Sequence, residues 1–300
     1  MKNKASYESS DFNISAKRKK IFSVELDLFN KFVEICNKYS LKYYAINGTL
    51  LGTIRHDGFI PWDDDLDVAM PRNDYEKFKQ VSEIELVYPY VLQNATEKTD
   101  YYLYWTRLRR VDTTAISLKN VNNPVLCGIF IDIFPIDGIP SNHNYNYLKI
   151  QFLSALANTY CHYPYITGNK YLRQNLLCLS KIYVKKWGYK NLIENIENTM
   201  MLQPYDYTDK VFVRAHSKEF LQVPKEFFGN GLQRTFENTT IIVPDRYNEI
   251  LIKQYGKNYM EYPPVNKRGN HHSIFFDPDR PYTDYLNADL SEIKKGINNF

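Results

Sequence analysis

Four aspartates, Asp63, Asp64, Asp65 and Asp67, crowd the segment that Trp62 opens. In an extended strand alternate side chains share a face. Asp63, Asp65 and Asp67 are therefore predicted to point one way, and Asp64, Leu66 and Val68 the other. Carboxylates gathered on one face repel one another and raise each other's pKa unless a cation sits between them. Oxygen donors alone suit Mg2+, with Mn2+ as its substitute, and Mg2+ takes a few carboxylates together with waters and substrate phosphates. A solvated acidic turn is the competing reading. Phe59, Ile60, Leu66, Val68 and Met70 argue against it, because a charge among apolar neighbours has to be paired or metal-bound.

Other residues able to do chemistry are spread along the chain. Gly48 and Thr49 follow the apolar run from Tyr43 to Ile46. A glycine there lets a backbone N–H approach a phosphate, and a helix N-terminus after it favours an anion. Thr49 can cap that helix or donate to the phosphate; an ordinary turn would use the same residues. Asp132 stands alone in the apolar run Ile129–Phe134, where an acid is costly without a partner. It is assigned as the third carboxylate beside Asp65 and Asp67. Arg107 and Arg109 alternate onto one face of a predicted strand and Arg110 onto the other. Guanidinium forks match phosphate oxygens, which makes Arg107 and Arg109 candidate nucleotide contacts, with a solvated strand as the alternative. Asp137, in Pro-Ile-Asp-Gly, reads as a turn residue.

The elements that must hold these groups follow from periodicity. Ile21, Val24, Leu28, Phe32 and Ile35 recur at helical spacing. Lys17–Lys20 then forms the charged first turn of that helix rather than a nucleic-acid patch. A strand at Lys42–Ile46, a short helix at Thr49–Arg55, a turn at Asp57-Gly58 and a strand at Leu66–Met70 come next. Asn73 and Glu76 are spaced as a capping box for the following helix. A strand pair, Tyr101–Arg109 and Thr113–Ser117, is predicted to join at Val111-Asp112. Ile129–Phe134 is predicted to be central and covered on both faces. Residues 141–205 contain little Gly and read as helices over Tyr147–Tyr160, Tyr171–Lys186 and Leu192–Met201. Val211–Arg214 and Thr239–Val243 read as strands. Asp245 is expected to cap a helix that stops at Gly256. The organisation expected is a loose arm over 1–16, a core over 17–140, a helical insertion over 141–205, the C-terminal part of the catalytic domain over 206–275, and a tail over 276–300.

Composition narrows the class. Hydrophobic content of 44% and charge of 24% are ordinary for a globular protein. A net charge of +4 is too mild for a nucleic-acid partner but suits a phosphate-bearing substrate. Cys36, Cys127, Cys161 and Cys178 form no Cys-x-x-Cys, so zinc and a disulfide framework are not expected. The N-terminus lacks the apolar core of a signal peptide, and no run of about 18 apolar residues exists. The expectation is a cytoplasmic protein, with contact at the inner face of the membrane as a further reading. Ile182, Tyr183 and Trp187 with Lys181, Lys185, Lys186 and Lys190 would supply that membrane face; an ordinary amphipathic helix is the alternative.

Gly48-Thr49 followed by Asp65-Leu-Asp-Val68 resembles the pattern of nucleotidyltransferase folds of the polymerase-beta type. The longer runs Gly48–His56 and Phe59–Val68, the segment Gly128–Pro140, and the stretches Tyr255–Pro264 and Lys267–His272 resemble one branch of it. That branch is the LicD family of bacterial phosphocholine transferases, related to fukutin and fukutin-related protein. The resemblance implies an α/β (α+β) fold, a nucleotidyltransferase-like mixed sheet flanked by helices with a helical insertion. It implies that Asp65, Asp67 and Asp132 hold Mg2+, and that Gly48, Thr49, Arg55 and His56 face the phosphates of a CDP-activated donor. Lys267, Arg268, His271 and His272 are carried to the same phosphates, although by residue type the His pair could equally be metal ligands or an acid and base, and a loop His pair is commonly just exposed. The expected reaction moves phosphocholine, or a related phospho-alcohol, from CDP-choline or another CDP-alcohol to a hydroxyl of a lipid-linked or other cell-surface glycan. Teichoic acid, capsule and lipopolysaccharide are the acceptor classes, CMP is released, and Asp63 or Asp132 acts as base. Two alternatives stay open: a nucleotidyltransferase that releases pyrophosphate, and a non-catalytic nucleotide- or glycan-binding module.

Overall fold

The computed structural model describes residues 14–94, 103–117, 126–139, 143–162, 169–213, 221–264, 268 and 275–286. It is an α+β protein, and its organising element is one strand. That strand, β6 (Ile129–Gly138), is buried along its whole length. Its alternation of Ile and Phe packs on both faces, as expected of a strand covered on both sides. On one side β6 pairs in parallel with β2 (Asp67–Pro71). On the other side its first half pairs antiparallel with β4 (Thr106–Arg110) and its end with β7 (Lys210–Val213). The sheet is completed by β1 (Tyr44–Ala45) beside β2, β3 (Tyr90–Gln93) beside β4, and β8 (Leu221–Pro224) beside β7.

Helix α1 (Ala16–Lys38) lies across β6 and β4. Ser15 caps it, accepting a hydrogen bond from the Arg18 N–H at 3.2 Å. Its buried stripe, Ile21, Leu28, Phe29, Phe32 and Ile35, repeats every three to four residues, and Glu25 sits inside that stripe. Helix α2 (Asn47–His56) runs from β1 towards β2, and α3 (Arg72–Glu85) follows β2 directly. The three helices predicted after residue 141 are present as α4 (His143–His162), α5 (Lys170–Trp187) and α6 (Tyr189–Met200). Ile150, Leu153, Ile193 and Ile196 join the same core as the sheet, so these helices share the sheet's hydrophobic interior. A hairpin of β9 (Leu232–Phe236) and β10 (Thr239–Val243) and helix α7 (Tyr247–Tyr255) close the fold. Gly256 ends α7 at φ +84°, a conformation that an L side chain rarely adopts.

Several local expectations are corrected. The strand after Arg110, β5 (Thr114–Ile116), does not pair with β4. It pairs with β11 (Phe275–Asp277), because β3 and β6 already occupy both edges of β4. The expected tail therefore contributes a strand, with Phe276 buried. Asn73 and Glu76 form no capping box. Pro71 occupies the N-cap, Glu76 accepts from Arg72 at 3.0 Å and Asn73 donates to Asp206 at 2.7 Å. Asp245 does not cap α7; it accepts from the N–H groups of Asn230 and Gly231 in the turn before β9. Asp137 is no turn residue either. It is buried in β6 and holds the Arg72 guanidinium in a two-pronged pair at 2.7 and 2.5 Å. Its Arg partner lies 65 residues away, which no local pattern signals. No disulfide joins the four cysteines.

Candidate active site

The parallel pairing of β2 and β6 sets Asp67 opposite Asp132. Residues in register on neighbouring parallel strands share a face, so the two carboxylates meet. Asp65, two residues before Asp67, completes the group. One carboxylate oxygen from each of Asp65, Asp67 and Asp132 lies within 4.8 Å of the others, and all three residues are buried. Asp67 is fixed from two directions. Its N–H donates to the Thr49 hydroxyl at 2.7 Å, and its Oδ2 accepts from Asn47 Nδ2 at 2.9 Å. Its Oδ1 is buried with no hydrogen-bond partner among the described residues. Burial, then the neighbouring Asp65 and Asp132, hold the Asp67 pKa well above the usual carboxylate range.

Asp132 is fully buried and accepts from Trp105 Nε1 at 2.9 Å and from Arg107 at 2.6 and 3.1 Å. Arg107 thus reaches the site, but as the partner of an acid within it. Arg109 does not reach it. That side chain is buried, donating to the Gln93 side chain at 2.5 Å and to the Gly128 carbonyl at 2.6 Å. Its expected nucleotide contact is corrected to a core role, because the Gln93 side chain and the Gly128 carbonyl take up its guanidinium.

The first acids do not alternate as strand residues. β2 begins at Asp67, and Asp63, Asp64 and Asp65 bring carboxylate oxygens within 4.8 Å of one another in the preceding loop. Gly48 explains how Asp63 fits. A Cβ at Gly48 would collide with the Asp63 carboxylate, so the glycine admits that acid to the start of α2. Thr49 does not cap α2, whose N-cap is Ile46; its hydroxyl serves the β2 backbone instead.

Beside the acids stands an aromatic and cationic wall. Arg55, at the end of α2, donates to the carbonyls of Tyr259 and Glu261 at 3.0 and 3.1 Å and lies over the rings of Trp62 and Tyr262. Arg268 donates to the Pro263 carbonyl at 2.8 Å and lies 4.6 Å from the Trp62 ring centroid. The His56 ring meets Trp62 edge-on and tilts against Tyr262. Burial, then the Arg55 charge, push the His56 pKa down to about 4. Lys267, His271 and His272, also expected at the phosphates, lie outside the described residues.

Sequence reasoning missed several contributors. Glu25 is fully buried, and both of its oxygens lack a hydrogen-bond partner among the described residues. Burial first, then Asp65 and Asp64, raise its pKa well above the usual range. An acid on the apolar stripe of α1 is the signal that could have found it. Arg18 donates to the Asp63 carbonyl at 2.6 Å. Gln254 on α7 donates to Asn47, which in turn holds Asp67, a relay across 207 residues of sequence. Tyr255 is exposed along part of its ring, yet burial and then Asp63, Asp67 and Asp65 push its hydroxyl pKa up.

The residues present fit a hard divalent cation. The donors are oxygens only, three carboxylates converge in a buried place, and Asp67 Oδ1 is left for a ligand that hydrogen bonds do not supply. Arg107 and Trp105 take one side of Asp132, and a carboxylate has lone pairs to spare for a cation on the other.

Comparison with the sequences of known proteins bears on these residues. Residues 40–164 match the family model described as LicD/FKTN/FKRP, nucleotidyltransferase domain, a span that includes Gly48, Asp65, Asp67 and Asp132. The chain is 28% identical over 262 residues to the lipopolysaccharide cholinephosphotransferase LicD of Haemophilus influenzae, covering 82% of this chain and 92% of that protein. Shorter matches of 48 residues, 46% and 44% identical, link it to uncharacterized proteins of Rickettsia typhi and Rickettsia prowazekii. Each covers 16% of this chain, and 16% and 18% of those proteins respectively. The paired strands and the three acids agree with these matches: residues 40–164 carry a LicD-type domain, and the chain is an enzyme of that type.

Proposed function

We propose that the protein transfers phosphocholine from CDP-choline to a hydroxyl of a lipopolysaccharide or related cell-surface glycan, releasing CMP. The observation that carries this reading is the buried triad of Asp65, Asp67 and Asp132 in a chain that aligns along nearly all of a cholinephosphotransferase. Asp65, Asp67 and Asp132 would hold Mg2+, which would neutralise phosphate charge as the leaving oxygen develops it. Arg55 and Arg268, steadied on the Trp62 and Tyr262 rings, would orient the donor diphosphate. The acceptor oxygen attacks the phosphorus that bears choline. A new P–O bond forms, the bond to the CMP phosphate oxygen breaks, and CMP leaves with that electron pair. The hydroxyl proton passes to a carboxylate. Asp132 already accepts from Trp105 and Arg107, so that role falls to Asp63, the most exposed of the acids. The enzyme would work at the cytoplasmic face of the membrane that carries the acceptor.

Thermal unfolding with Mg2+ and, in turn, CDP-choline, CDP-glycerol, CDP-ribitol and CTP tests the donor. A ligand at about 100 times its dissociation constant adds about 2.7 kcal/mol. A shift with CDP-choline that EDTA removes, followed by CMP release on adding acceptor, supports the reading. A shift with CTP alone and release of pyrophosphate would replace it with nucleotidyl transfer. The absence of any Mg2+-dependent shift would return the protein to a binding module.

A further inference from the structure

Helix α5 packs Leu176, Tyr183 and Val184 against the core, yet it is apolar on its outer side too. Only Ser180 is buried among the 18 residues from Lys170 to Trp187. Tyr171 (76% exposed), Leu172 (60%), Leu179 (47%) and Ile182 (56%) all face solvent. At about 100° per residue these four fall within roughly one quarter to one third of the helix circumference, opposite Ser180. Lys186 falls inside that arc, and Lys181, Lys185 and Lys170 flank it on one side. Trp187 ends the helix, half exposed, with Lys186 over its ring. Tyr183 does not belong to this face: its hydroxyl bonds Asn191 and Asn195 of α6. The neighbouring α4 adds a second stripe, Tyr145, Leu148 and Phe152, 63%, 66% and 50% exposed. Residues 143–187 carry six of the chain's 38 basic residues and none of its 34 acidic ones. The rest of the chain, 32 basic against 34 acidic, is net negative.

Monomeric proteins rarely leave large apolar side chains clustered on exposed helix faces without a partner. Aromatic and aliphatic residues in one arc, with lysines beside them, make a helix that lies in the plane of a lipid interface. The lysines select an anionic surface, and Tyr171 at the start of the arc suits the headgroup boundary. No helix among the described residues is long and apolar enough to cross a membrane. We propose that the outer face of α4 and α5 docks the enzyme on an anionic lipid surface. This rests on the reading of a lipid-borne acceptor: docking confines the enzyme to the surface in which that acceptor is anchored.

Co-sedimentation of the whole protein with phosphatidylcholine vesicles, and with vesicles containing phosphatidylglycerol, tests it. Partitioning to the anionic vesicles only, weakened by salt, is expected. Each lysine near such a surface is worth about fivefold in partitioning, so Lys181→Gln/Lys185→Gln/Lys186→Gln should lose about a hundredfold. Leu179→Glu/Ile182→Glu should also release the protein. These side chains are exposed, so the variants should keep the wild-type circular dichroism. A polarity-sensitive fluorophore on Cys178, which is exposed on α5, should shift to the blue on anionic vesicles. Equal binding to both vesicle types, no binding, or binding untouched by both variants would overturn the proposal. So would a dimer in solution that Leu179→Glu/Ile182→Glu dissolves. Asp67→Asn should bind vesicles as the wild type does, so failure of docking and failure of the catalytic reading are seen separately.

Discussion

Asp67 and Asp132 stand in register on adjacent parallel strands, 65 residues apart in sequence. The two are partnered unequally: Asp67 leans on an amide, whereas Asp132 holds one arginine and one indole. The pair stores electrostatic repulsion that folding alone does not relieve, and that repulsion is what a bound cation would remove.

Replacing Asp67 by Asn should therefore separate stability from function. Turnover is expected to fall on the order of a thousandfold, the scale for removing one group that stabilises transition-state charge. In EDTA the variant should unfold at or above the wild-type temperature, since a buried, high-pKa carboxylate is gone. The added stability that the wild type gains from Mg2+ should vanish. Calorimetry with and without Mg2+ reads both effects; a full Mg2+ response in the variant would remove Asp67 from the cation site.

Arg107 is the counterweight of Asp132, whose side chain has no exposure at all. Arg107→Ala leaves that acid with Trp105 as its remaining named donor. Breaking a buried pair from one side costs about 3–5 kcal/mol. Adding Asp132→Asn should restore most of the loss, since the charge that needed neutralising is then absent. Urea denaturation of the single and double variants checks this, and a single-variant loss under about 1 kcal/mol would show that Arg107 contributes little.

Two groups tilt stability with pH in opposite senses. Glu25 keeps its proton in the folded state well above 4.5, its ordinary value. Between 4.5 and that raised value the folded state binds more protons than the unfolded one, so stability falls as pH rises from 4.5. His56 has a folded pKa near 4 against 6.5. Its contribution is complete above 6.5 and is lost as pH falls towards 4. In metal-free protein Glu25→Gln should flatten the alkaline side of the profile and His56→Gln the acid side. Melting temperatures from pH 4 to 8 would show it; an unchanged alkaline slope in Glu25→Gln would mean that Glu25 titrates normally.

Arg55 is held by two carbonyls and two rings, which orients a planar fork. Arg55→Lys keeps the charge and loses the fork. Donor affinity should drop roughly tenfold to a hundredfold, the range for a hydrogen bond to a charged group, with little change in melting temperature. Calorimetric titration of CDP-choline measures it, and unchanged affinity would place Arg55 outside the donor site.

Much of this was legible without coordinates because it is local. The apolar stripe of α1, the helices after residue 141, the buried β6 and the helix stop at Gly256 follow from spacing and from single-residue conformational limits. Asp132 was readable for the same reason, since an acid in an apolar strand announces a partner without naming it. What could not be read was who that partner is. Arg107 and Arg109 have the same type and the same strand face, yet one meets Asp132 and the other is held in the core by Gln93 and the Gly128 carbonyl. The pairing of β5 with β11, the Asp137–Arg72 pair and the relay from Gln254 through Asn47 to Asp67 join distant residues. The sequence by itself determined which residues carry charge and which faces must be buried, because those depend on side-chain chemistry and backbone period. Only the tertiary structure decided which charges meet, because register between strands is set by the packing of the whole sheet.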